Sequence, residues 1–83
     1  MKTFKEKLYP HYLERLRKID EEFKSGKSRD YCRENALIEY YIIFGALNYM
    51  LLSGKIKCER FSLLSQEACK EYEECVNKLK RAV

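Results

Sequence analysis

The sequence predicts an all-α protein, a three-helix antiparallel bundle with a central, nearly all-apolar second helix, assembled as a dimer. Three observations carry that expectation. Apolar residues in the outer thirds of the chain recur at three- and four-residue steps, the pattern of helices buried on one side. Gly26 and Gly54 each follow such a pattern, where a glycine closes a helix. Between them, Ala36 to Leu52 reads ALIEYYIIFGALNYMLL, in which only Glu39 and Asn48 are strongly polar. A helix that is apolar all round has to be enclosed, and two neighbours in a chain of 83 residues leave part of it bare. The excess points to a partner, most simply a second copy.

The first helix is expected over about 3–25. Phe4, Leu8, Tyr12, Leu16, Ile19 and Phe23 fill one half of its wheel, and Glu14, Arg17, Lys18 and Glu21 the other. Pro10 interrupts it, because a proline removes a helical hydrogen bond and clashes with the preceding turn. Either the first turn is kinked, or Pro10 opens the main helix at its first position. The second helix is expected over 29–53, with Ser28 as its N-cap. At 100° per residue, Asn35, Glu39 and Ala46 form its one narrow polar-to-small strip, the part expected to face water. Tyr31, Ile38, Ile42 and Tyr49 line one flank; Tyr40, Phe44, Leu47 and Leu51 line the opposite side. Leu37, Tyr41, Asn48 and Leu52 lie between. The third helix is expected over 58–82, with a stripe of Phe61, Leu64, Ala68, Tyr72, Cys75 and Leu79. Ser62 and Ser65 both qualify as its N-cap, and a cap at Ser65 turns Lys55–Phe61 into a loop or separate turn.

Length makes residues 1–83 a single helical domain. A chain 46% hydrophobic and 36% charged belongs with folded proteins. The net charge of +4 is far below that of a dedicated nucleic-acid arm. Residues 1–34 carry ten Lys/Arg and seven Asp/Glu, 55–83 seven and five, and 35–54 only Glu39. MKTFKEKLYP lacks the apolar core of a secretory signal. The 36–52 run falls short of the ~20 apolar residues of a spanning helix, so no membrane association is expected and the location is cytoplasmic. Cys32, Cys58, Cys69 and Cys75 have neither CxxC nor zinc-knuckle spacing. Free thiols, no metal and no cofactor follow.

No residues qualify as catalytic. Glu39 lacks a partner of matched chemistry and reads as a salt bridge or a water-facing residue; His11 reads as a surface histidine. The candidate interface is Tyr40, Tyr41, Phe44, Asn48, Leu51 and Leu52. Asn48 is the sharpest oddity there. It is either a register-setting amide at a helix interface or a core amide bonded to a tyrosine hydroxyl. Gly45 and Ala46 either permit close approach of another helix or are simply tolerated. Candidate phosphate contacts are Lys24, Lys27, Arg29, Arg33, Lys78, Lys80 and Arg81 at one bundle end, with Lys2, Lys5, Lys7, Lys55, Lys57 and Arg60 at the other. Interspersed acids weaken both clusters.

The LLSGK turn followed by SQEACKEYEECVNKLK resembles small helical proteins of bacterial mobile elements, over less than half of the chain and without a specific motif, too little to assign a family. What the resemblance implies is a phage- or transposon-borne accessory protein, such as an inhibitor of a host defence complex. From the residues themselves, the expected function is that of a small non-enzymatic interaction protein, a regulator, adaptor or inhibitor, working through a protein–protein interface. The alternative is a nucleic-acid-binding accessory protein that uses the basic bundle ends.

Overall fold

Pro10 shapes the start of the fold. The structure, a computed structural model describing residues 4–81, begins with a π turn at Phe4–Leu8 that runs directly into α1 (Tyr9–Lys24). A proline at position 10 has no amide to give the carbonyl of Glu6, and its ring would crowd that carbonyl in a regular α-helix. Widening the preceding turn to the π form relieves the crowding. The π turn also shifts the side-chain register by one residue. Phe4 is buried and pairs with Tyr9, ring centroids 5.8 Å apart, while Leu8 is exposed. Leu8 therefore does not belong to the apolar stripe of the first helix, and Tyr9 takes its place. Thr3, Ala82 and Lys2 lie outside the described residues, as does Val83.

The rest of α1 follows the expected wheel, with Tyr12, Leu16 and Ile19 buried and Phe23 packed at the edge of the core. It closes on Gly26, whose φ of 112° favours glycine. The amides of Gly26 and Lys27 bond to the carbonyls of Phe23 and Glu22, a Schellman ending. Gly54 closes α2 (Arg29–Leu52) in the same way, with φ 77° and bonds from Gly54 to Leu51 and from Lys55 to Met50. Ser28 caps α2: its backbone is extended and its hydroxyl oxygen accepts the Tyr31 amide at 3.1 Å.

The third helix, α3, spans Cys58–Arg81. Neither Ser62 nor Ser65 is its cap. Both lie inside the helix, where the Ser65 hydroxyl donates to the Ser62 carbonyl and the Ser62 hydroxyl accepts from Gln66. Serine in a helix interior commonly bonds back to the preceding turn in this way. The residues expected in the stripe of α3 are all buried or half-buried.

Among the described residues there is no strand. α2 packs against both other helices, and α1 and α3 also touch. The Tyr12 hydroxyl donates to the Ala68 carbonyl at 2.6 Å, joining α1 to α3. Arg29 of α2 meets the end of α3 at Leu79, Tyr40 meets Tyr72, and Phe44 meets Phe61. One core runs through all three helices, built on Tyr12, Leu16, Cys32, Ala36, Ile43, Leu47, Leu64, Ala68 and Leu79.

Candidate functional site

The rotation of α2 in this packing defines the candidate site. Its inward arc is Cys32, Ala36, Ile43, Leu47 and Met50, all buried. The strip expected to face water turns inward too. Asn35 and Ala46 are half-buried, and the Glu39 side chain is only 14% exposed, because Arg15 of α1 holds it at 3.2 Å. The polar strip is therefore used inside the fold, and the arc left for solvent is apolar.

That outward arc carries Tyr31, Leu37, Ile38, Tyr41, Ile42, Gly45, Asn48, Tyr49 and Leu52, every one exposed. Tyr41 and Ile42 are 62% exposed, Tyr49 64% and Leu52 80%. Asn48 is the arc's one strongly polar side chain between Leu37 and Leu52. Isolated apolar side chains on a surface are ordinary, whereas a contiguous apolar row such as that from Leu37 to Leu52 is a candidate interaction surface. Lys27 lies 5.5 Å from the Tyr31 ring and Lys55 5.8 Å from the Tyr49 ring, so a cation stands at each end of the row. The helix is also long and apolar enough to cross a membrane by length and composition, with 22% of its most apolar window buried.

The six residues expected at the interface divide in two. Tyr41, Asn48 and Leu52 lie on the outward face. Tyr40, Phe44 and Leu51 pack into the chain's own core: Tyr40 stacks on Tyr72 at 5.2 Å and Phe44 meets Phe61 edge-on at 5.7 Å. Asn48, being exposed, is not a core amide, which removes the reading that buried it against a tyrosine hydroxyl. The flank of Tyr31, Ile38, Ile42 and Tyr49 joins the site in place of the half-buried Tyr40, Phe44 and Leu51. The wheel contained that flank, but with both sides of α2 apolar it could not say which side α1 and α3 would cover.

The basic end is only partly assembled. A shallow cavity brings Lys24, Lys78 and Arg81 together with Asp20 and Phe23. Lys24 is bonded to Asp20 at 3.2 Å. Arg29 donates to the Leu79 carbonyl at 2.9 Å and lies 6.0 Å from the Phe23 ring. Lys27, Arg33 and Lys80 are exposed outside that cavity.

The cysteines and the charged surface of α1 complete the chemistry of the described residues. All four cysteines are free. Burial pushes the Cys32 and Cys75 thiols up, and the Cys69 thiol is raised first by its hydrogen bond to Glu73 and then by burial. These thiols are held protonated, away from the nucleophilic form. Among the described residues, no group of three or more His, Cys, Asp or Glu side chains could hold a metal ion. On the surface of α1, Arg17 bonds both Glu14 and Glu21, and that bond first of all holds the Glu14 carboxyl below its ordinary value. No protein-family model, curated protein or solved structure matches this chain.

Proposed function

We propose that the protein is a small, non-enzymatic interaction protein, three antiparallel helices that act as a regulator, adaptor or inhibitor through the outward face of α2. In the simplest case a second copy covers that face, in a cytoplasmic compartment that keeps the thiols reduced. One observation carries the reading: the exposed side of α2 is apolar from Leu37 to Leu52 except for Asn48, and no element among the described residues covers it. Each large apolar side chain buried there contributes roughly 1.5–3 kcal/mol, so a few of them suffice for a stable complex.

A protein surface fits this face better than the interior of a membrane does. α2 is packed along its length by two charge-laced helices, and crossing a bilayer would bring them into hydrocarbon or strip them away. The basic bundle end offers less to a phosphate backbone, since Lys24 is paired with Asp20 and Arg29 is engaged by the end of α3. Protonated thiols and the absence of a metal-binding cluster among the described residues favour a binding role over catalysis.

Sedimentation equilibrium at high micromolar concentration tests this. The expected result is a dimer, with Ile42→Glu giving a monomer whose helical circular dichroism is unchanged. A wild-type monomer that adsorbs to anionic phospholipid vesicles, and loses that adsorption in Ile42→Glu, would overturn the protein-interface reading in favour of a membrane surface. Tight sequence-specific DNA or RNA binding that persists at physiological salt would overturn it in favour of nucleic acid.

A further inference from the structure

We infer that the outward face of α2 receives a second copy of this chain in an antiparallel crossing, with Gly45 at the twofold axis; the inference rests on the interaction reading proposed above. The first support is spacing. Counted from Gly45, the outward residues fall at matched distances on either side: Ile42 and Asn48 three away, Tyr41 and Tyr49 four away, Ile38 and Leu52 seven away. These are the steps that share one face of a helix. A twofold axis through Gly45 sets Tyr41 against Tyr49 of the second copy and Ile38 against its Leu52. Two of the three pairs thus match in kind, aromatic with aromatic and aliphatic with aliphatic, while Ile42 faces the second copy's Asn48.

Gly45 itself is the second support. A Cβ built there meets nothing within 4 Å, so the chain's own fold makes no use of the missing side chain. An interior helix glycine is destabilising relative to alanine. A helix crossing at this point gives the glycine a role, because its backbone admits closer approach than any other residue does.

Charge bears on the direction. Asp30 and Glu34 are exposed at the start of α2 beside Lys27, Arg29 and Arg33; of these Glu34, eleven residues before Gly45, lies on the Gly45 face, and Lys55 follows the helix end. Along the axis, Glu34 lies about 16 Å before Gly45 and the helix ends at Leu52 about 10 Å after it, with Lys55 just beyond. An antiparallel crossing brings these opposite charges together twice. A parallel one sets Lys55 against Lys55 and Glu34 against Glu34. The area fits as well. Tyr31, Tyr41 and Tyr49 alone expose roughly 300 Å². With Leu37, Ile38, Ile42 and Leu52 the patch approaches the ~800 Å² per partner of a specific interface.

Site-directed crosslinking of the full chain tests the geometry. In a Cys58→Ser, Cys69→Ser background, which keeps the buried Cys32 and Cys75, chains carrying Tyr41→Cys and Tyr49→Cys are prepared separately and then mixed under mild oxidation. The expected result is a crosslinked dimer from the mixture and little from either chain alone. Efficient self-crosslinking of Tyr41→Cys alone would overturn the antiparallel arrangement. A dimer by sedimentation that crosslinks in no combination would overturn the α2 crossing. A wild-type chain that stays monomeric overturns both this inference and homodimerisation, and so separates the two failures. Gly45→Ala provides a readout without oxidation. It should raise the thermal stability of the monomeric Ile42→Glu chain while weakening dimerisation of the parent about tenfold or more. Unchanged or tighter dimerisation in Gly45→Ala would remove Gly45 from the axis.

Discussion

Tyr12→Phe isolates the contact that ties α1 to α3. The ring of Tyr12 is 2% exposed, and its hydroxyl donates to the Ala68 carbonyl at 2.6 Å. Phenylalanine keeps the ring, so no large cavity opens, and the loss is that of one buried hydrogen bond. Ala68 lies in the middle of α3, where the amide four residues on also bonds its carbonyl. The acceptor thus keeps one partner and escapes the full cost of an orphaned polar group. The expected destabilisation is about 1 kcal/mol, the net worth of an intramolecular hydrogen bond. For a domain of this size that is a fall in Tm of roughly 4–8 °C. Thermal and urea unfolding followed by circular dichroism at fixed protein concentration measures it, the concentration being held because association shifts apparent stability. Tyr12→Ala is the internal control: it removes the ring and should cost roughly 3–5 kcal/mol. A Tm for Tyr12→Phe equal to that of the parent would refute the role given to the hydroxyl.

Two further outcomes follow from the protonation of buried groups. Burial, with smaller contributions from Glu71 and Glu67, pushes Tyr9 up to about 12, and burial raises Tyr12 as well. Both phenols ordinarily titrate near 10, so the folded state holds these protons more tightly than the unfolded chain. Their contribution to stability is complete below pH 10; that of Tyr9 is lost as pH rises from about 10 through 12, and that of Tyr12 at higher pH. Urea midpoints should fall over that window and fall less in Tyr9→Phe; a parent midpoint independent of pH there would contradict the assignment. Thiol labelling of the native protein should find exposed Cys58 reacting first and buried Cys32 and Cys75 last, with all four reacting in denaturant. Labelling of Cys32 as fast as Cys58 would show that the core opens more readily than its packing implies.

The elements were legible because their punctuation is local. Ser28, Gly26 and Gly54 sit where a cap or a left-handed residue is required, and each does that job in the structure. The stripe of α3 was legible because its opposite face is charged. Two features were not. The exchange of Leu8 for Tyr9 depends on a π turn, whose extra residue breaks the three-and-four step by which a stripe is recognised. The orientation of α2 depends on side chains of other helices. Arg15, twenty-four positions away, pairs with Glu39 on the side of α2 that turns toward α1, where Asn35 and Ala46 are half-buried. The apolar excess on α2 could be read from the sequence; its placement on Tyr31, Ile38, Ile42 and Tyr49 required the positions of α1 and α3.

The near-uniform surface of α2 has a consequence for the folding landscape. An amphipathic helix has one way to bury its apolar side, and the energy gap to other rotations is wide. α2 has apolar side chains on nearly every azimuth, so turning it about its axis replaces one buried greasy set with another. The gap between native and misrotated packings then rests on a few discriminating groups: the Arg15–Glu39 pair, the tight fit of small Cys32 and Ala36, and the Tyr40–Tyr72 stack. Local contacts favour rapid helix formation in such a topology, while a small gap between compact states makes a landscape rough. The expected order is helix formation ahead of docking, with the choice of azimuth by the central helix as the slow event, which stopped-flow refolding followed by circular dichroism and by tyrosine fluorescence would resolve as a slower fluorescence phase.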